Sequence, residues 1–182
     1  MDEFGENRVQ EAEAKAGRVP GARWQLVGQL QANKSARAVA LFETIHSLDS
    51  LRLARRLSAL VEARGGPRGR RLPVYLQVNV DDDPAKAGFG PDEVERELSE
   101  LTGLPGLELL GLMTVGRLVG RPEDARPTFE RLRRLSERLR AAHDRLGAEL
   151  SMGMSDDFEI AVEEGATVVR VGRAIFGERP AQ

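Results

Sequence analysis

Short apolar runs recur along the chain at residues 24–27, 44–46, 73–80, 107–115, 150–152 and 168–171, and most of them are continuous rather than alternating. A strand with one wet face alternates polar and apolar side chains, whereas a continuous run needs cover on both faces. Parallel sheets flanked by helices provide that cover. Helical periodicity fills the intervals. Phe129, Leu132, Leu135, Leu139, Ala142 and Leu146 recur at spacings of three and four, with Arg and Glu between them. A second pattern, Leu51, Ala54, Leu57, Leu60 and Val61, stops at Gly65-Gly66, and residues 10–16 and 92–101 behave similarly. Strand then helix, repeated about six times with short connections, predicts an α/β fold with a parallel sheet. A doubly wound dinucleotide-binding sheet would carry GxGxxG after its first strand; none stands there, and GRAIFG at 172–177 has the wrong spacing and follows the last run. A (β/α)8 barrel is the better expectation, although six runs are fewer than its eight strands.

A chain of 182 residues, 41% hydrophobic, suits one domain spanning 1–182. Its 27 basic residues against 29 acidic ones leave a formal charge of -2, too little to hold nucleic acid or an anionic membrane by a global field. The arginine groups Arg68, Arg70, Arg71 and Arg131, Arg133, Arg134 read as solvated surface. With no cysteine and only His46 and His143, disulfides, thiol catalysis and histidine-rich metal centres are excluded. The start, MDEFGENRVQEAEAK, lacks the basic-then-apolar order of a signal peptide, and no apolar stretch approaches the ~18 residues of a membrane helix. These features predict a cytoplasmic protein.

In a barrel of this kind, functional groups gather at the C-terminal ends of the strands, and phosphate is held by the loops after the last two. After 150–152 the chain turns through Gly153, Met154 and Ser155 into a helix expected to begin near Asp156. Ser155 alone reads as an N-cap. Arg170, a cation in an apolar run, must point opposite to Val169 and Val171, either into the barrel or toward the helices, and alone it reads as the partner of a buried carboxylate. Gly172 allows close approach to the backbone. Together on adjacent strand ends, Ser155, Arg170 and Gly172 fit a phosphate-bearing ligand as well as they fit purely structural roles. Gln77, Asn79, Thr114, Ser47 and Asp49 read as loop-forming or capping residues, and His46 has no serine or carboxylate partner at a spacing that suggests a hydrolase triad.

The segments FGENRVQE (4–11), WQLVGQLQANK (24–34), IHSLD (45–49), LQVNV (76–80), GLMTV (111–115), SMGMSDDFEIAVEEGAT (151–167) and VRVGRAIFGER (169–179) resemble, in order, the pyridoxal phosphate homeostasis protein family, of YggS/PROSC type. The resemblance implies a barrel similar to the N-terminal domain of alanine racemase, with pyridoxal 5'-phosphate (PLP) at its mouth. It also implies a non-catalytic carrier, expected to be monomeric, that acts in vitamin B6 and amino-acid homeostasis. Asn7, Ser155, Arg170 and Gly172 would then lie around the cofactor. An arginine beside the pyridine nitrogen would disfavour its protonation and weaken the electron sink of amino-acid chemistry.

One departure is large. The family's Schiff-base lysine sits at the end of a first strand upstream of FGEN, so that lysine is absent here, and the first strand and most of the second are expected to lie outside the chain. The lysines present are Lys15, Lys34 and Lys86. Lys86 is on the correct face to serve as a secondary amine, though it reads first as a solvated loop residue. Gln25 and Gln29 stand in a motif whose first position is commonly histidine in the family, and neither is assigned a role. Two alternatives follow. A PLP-dependent racemase-like enzyme would need an acid/base tyrosine, and the only tyrosine, Tyr75, comes early in its run. A ligand-free interaction protein would fit the missing lysine.

Overall fold

The computed structural model describes residues 2–65, 71–116 and 119–177. Seven strands, β1 (Glu3–Glu6), β2 (Arg23–Leu26), β3 (Thr44–Leu48), β4 (Leu72–Gln77), β5 (Leu107–Met113), β6 (Glu149–Met154) and β7 (Val168–Arg170), form one sheet. Every pairing is parallel and the spatial order is the sequence order. A doubly wound sheet would reverse direction partway. Monotonic order makes this a singly wound, nearly closed barrel of the expected TIM type. The crossovers are α1 (Val9–Ala16), α2 (Ser35–Leu41), α3 (Leu51–Ala63), α4 (Pro91–Gly103), α5 (Arg126–Ala142) and α6 (Phe158–Glu163), and α7 (Arg173–Phe176) follows β7.

The strand count of six is corrected to seven. β1 carries a single large apolar side chain, Phe4, so hydrophobic patterning does not find it. Backbone pairing makes it a strand: Glu3 to Glu6 run in register with Arg23 to Leu26, and Arg23 reaches Glu3 at 2.6 Å and Asp2 at 3.2 Å. The family's second strand was expected to lie mostly outside the chain, but β1 is paired along all four of its residues and equals β2 in length.

Alternation along the strands separates two buried regions. Trp24, Leu26, Ile45, Val74, Leu76, Leu150 and Met152 join a continuous apolar cluster with the inner faces of the helices, such as Phe129, Leu132, Leu135 and Leu139 of α5. Gln25, His46, Tyr75 and Ser151, at the intervening positions, face the concave side. His46, Tyr75 and Ser151 are buried without belonging to that cluster, so the barrel interior is polar where the helix layer is not.

Of the arginines read as surface, Arg131, Arg133 and Arg134 each have a carboxylate partner, namely Asp81 at 2.7 Å, Glu137 at 3.1 Å and Glu130 at 2.5 Å. Arg68 and Arg70 lie outside the described residues. Among the described residues no helix is long and apolar enough to cross a membrane.

Candidate cofactor-binding site

Because all strands run the same way, their C-terminal ends open on one mouth. The ends of β6 and β7 are neighbours there, with Met154 in register with Arg170. Ser155, directly after β6, accepts hydrogen bonds through Oγ from the backbone N–H of Gly172 at 3.3 Å and of Ala174 at 3.4 Å. The helix expected from Asp156 starts instead at Phe158, and Asp157 stands at its N-cap position with Oδ1 accepting the Met154 N–H at 2.6 Å. Ser155 therefore does not cap α6. It ties the turn after β6 to the turn after β7, bringing a hydroxyl and two backbone donors together. A Cβ at Gly172 would meet no atom within 4 Å, so this glycine leaves the mouth open rather than relieving a clash in the fold.

Arg170 points into the barrel. Its Nη1 donates to the Ser151 carbonyl at 2.8 Å and to Ser151 Oγ at 2.9 Å, and its Nη2 donates to the Thr114 carbonyl at 2.8 Å. Among the described residues its hydrogen-bond acceptors are neutral, and the buried carboxylate predicted for it is Asp157, which acts through charge without a direct ion pair. Removal from water lowers its pKa to about 10, against the opposing pull of Asp157. A guanidinium carries five N–H donors; among the described residues these bonds use three, leaving Nε–H and one Nη2–H for another acceptor.

His46 does have a serine partner, 105 residues away, which spacing could not reveal: Nδ1 lies 2.8 Å from Ser151 Oγ. Its Nε2 lies 2.7 Å from Gln25 Oε1, which gives Gln25 a definite contact. A hydrolase triad is still absent, because an amide replaces the carboxylate and Ser151 is fully buried. Burial first, and Arg170 second, lower the His46 pKa to about 3, so the ring is neutral. It stacks on Tyr75 with centroids 4.3 Å apart. The Tyr75 hydroxyl donates to Glu149; desolvation and that carboxylate push its pKa well up.

Asn7 is exposed just after β1, the strand at the opposite edge of the sheet from β7. Its backbone sits against Gly28, where a Cβ would fall 2.3 Å from the Asn7 carbonyl oxygen. Lys86 is at the mouth as expected, its Nζ donating to the Val115 carbonyl at 3.0 Å, one residue from the Thr114 carbonyl that Arg170 uses. Lys15 is paired with the buried Glu6 on the side of β1. Gln77, Asn79 and Thr114 bond to nearby backbone, as loop-forming residues do. Among the described residues no group of His, Asp and Glu has metal-binding geometry. The residues that sequence reasoning missed are Ser151 and Gln25. Their signal is a single polar side chain between two core residues of one strand.

A family model for the alanine racemase N-terminal domain matches residues 1–180. The pyridoxal phosphate homeostasis protein of Aquifex aeolicus is 41% identical over 179 residues, covering 97% of this chain and 76% of that protein. PipY of Synechococcus elongatus, solved with PLP bound, superposes with a TM-score of 0.87 at 40% identity, over 96% of this chain and 81% of PipY. Alanine racemase of Clostridium difficile shares the fold, with a TM-score of 0.80 at 15% identity over 46% of its length. The singly wound parallel barrel, the ordered motifs and these likenesses together place the chain in the pyridoxal phosphate homeostasis protein family, within the wider family of alanine racemase N-terminal domains.

Proposed function

We propose that residues 1–182, acting as one domain, bind pyridoxal 5'-phosphate at the mouth between β6 and β7. In this reading the protein carries the cofactor within the cytoplasm, as a monomer and without catalysis. The observation that supports this most is Arg170: a guanidinium drawn out of water that, among the described residues, has no direct ion pair and keeps donors free beside the Ser155 turn. Such a group suits a neutral ring nitrogen or an anionic oxygen. The Ser155 oxygen takes the Gly172 and Ala174 N–H groups, and its own O–H is left to donate to the phosphate. Asn7 would approach from the β1 side.

When bound, PLP supplies electron withdrawal from a substrate's α-carbon. This chain's residues would restrain that chemistry: Arg170, if it faced the pyridine nitrogen, would oppose its protonation. The Tyr75 hydroxyl is committed to Glu149, away from the mouth, which argues against the racemase alternative. Lys86, with its amine on the Val115 carbonyl, is the nearest amine this reading offers to the aldehyde end.

Equilibrium dialysis of the chain against PLP and against pyridoxal tests the proposal. Retention of PLP with little retention of pyridoxal is expected, and Ser155→Ala is expected to weaken PLP about 10-fold by removing one organising hydroxyl. Equal retention of the two compounds, or of neither, sinks it, and racemisation of alanine by the PLP-loaded protein would overturn the non-catalytic part.

A further inference from the structure

We infer that His46 and Gln25 are positioning residues for Arg170, acting through the Ser151 hydroxyl in a hydrogen-bonded relay that crosses the barrel interior from β2 to β7. The inference concerns the ligand-free protein, and only its effect on affinity rests on the proposed PLP site. One group in the relay has a fixed role. A guanidinium can only donate, so Arg170 Nη1 donates to Ser151 Oγ at 2.9 Å. The Ser151 proton must then find a different acceptor, and His46 Nδ1 lies at 2.8 Å. Nδ1 is therefore unprotonated, the ring proton sits on Nε2, and it is donated to Gln25 Oε1 at 2.7 Å.

Every donor in this series meets one acceptor, so the relay has a single direction. A proton on Nδ1 would aim two donors at Ser151 Oγ and leave the serine's own proton without an acceptor in the relay. If Nε2 kept its proton as well, the ring would be an imidazolium close to the guanidinium. The Tyr75 ring from β4, stacked at 27° between planes, holds the imidazole in the orientation the relay requires. The charged or titratable groups around His46 are Arg170 from β7 and Tyr75 from β4, whose hydroxyl is taken by Glu149 of β6; β2 contributes only the neutral Gln25. Gln25 is thus the element that selects the tautomer: its amide oxygen accepts a proton from Nε2 without stabilising a positive ring, as a carboxylate would.

The test is ¹⁵N NMR of the two histidines, with His143→Gln assigning the signals. In the wild-type protein without ligand, His46 is expected as the neutral Nε2–H form from pH 8 to pH 5. An Nδ1–H form or an imidazolium in that range overturns the inference. Gln25→Glu, nearly isosteric, is expected to draw His46 toward the imidazolium at neutral pH and to reverse the serine. In the same protein the PLP dissociation constant should rise about 10-fold, the size of one charge-assisted hydrogen bond. Gln25→Glu that leaves the ring nitrogens unchanged, or changes them while PLP affinity stays at the wild-type value, contradicts the positioning role. If the wild type retains no PLP the site assignment fails, yet the ring-nitrogen result still decides the relay.

Discussion

Arg170 concentrates the physical tension in this molecule. A guanidinium placed among apolar strand residues costs desolvation, and here that cost is offset by hydrogen bonds to two backbone carbonyls and a hydroxyl, with the buried Asp157 carboxylate adding a charge that does not touch it. The three acceptors lie on two different strand ends, so Arg170 also fastens β7 to β6 and to the end of β5. Arg170→Lys should therefore lower stability by about 1–3 kcal/mol, since one ammonium on a flexible stem cannot reproduce a planar fork. Urea denaturation measures this, and an unchanged midpoint would show that the fork is not holding the strands. The oddity of Arg170 was legible in the sequence. Its partners were not, because a carbonyl has no sequence signature and Ser151 and Thr114 belong to strands 19 and 56 residues away. His46 is a similar case: its serine and glutamine are found by strand order and barrel closure, not by spacing.

At the scale of elements, the glycines separate structure from function. Gly28 ends the β2 region against the Asn7 backbone, and the 2.3 Å approach of a Cβ to a carbonyl oxygen cannot be relieved by a rotamer. Gly28→Ala should cost about 1–3 kcal/mol, as overpacking does. Gly172 has an ordinary negative φ of -118° and open space where its Cβ would go, so Gly172→Ala should leave stability within about 0.5 kcal/mol. The same change should weaken PLP binding by crowding the mouth. Thermal melts and dialysis on the two variants check the contrast; destabilisation by Gly172→Ala with unaltered binding would reverse the assignment. Most elements followed from periodicity, because their apolar runs face helices on one side and a packed interior on the other. β1 did not, since its burial is carried by backbone pairing with β2 more than by side chains. The start of α6 was displaced to Phe158 because Asp157 Oδ1 takes the Met154 N–H and holds residues 155–157 as a turn.

For the whole molecule, the neutral His46 predicts acid sensitivity. Its pKa is lowered to about 3 in the fold from 6.5, so the unfolded chain takes up the proton first. The stability this group contributes is complete above pH 6.5 and is lost as pH falls from there toward 3, by at most about 1.4 kcal/mol per pH unit. The difference between wild type and His46→Gln isolates this term from the carboxylates. Urea midpoints should converge as pH drops from 7 to 4, and parallel curves would contradict a buried neutral imidazole. The barrel class was readable from the alternation of continuous apolar runs with helical patterns and from the missing dinucleotide fingerprint, whereas the polar interior emerges only once the strands are curved around it.

The proposed cofactor cup consists of the turns after β6 and β7. An ¹⁵N–¹H correlation titration with PLP tests it most directly. The largest amide shifts are expected at residues 151–157 and 168–174, led by Gly172 and Ala174. Saturable shifts elsewhere, with the amides of Gly172 and Ala174 unmoved, would contradict it.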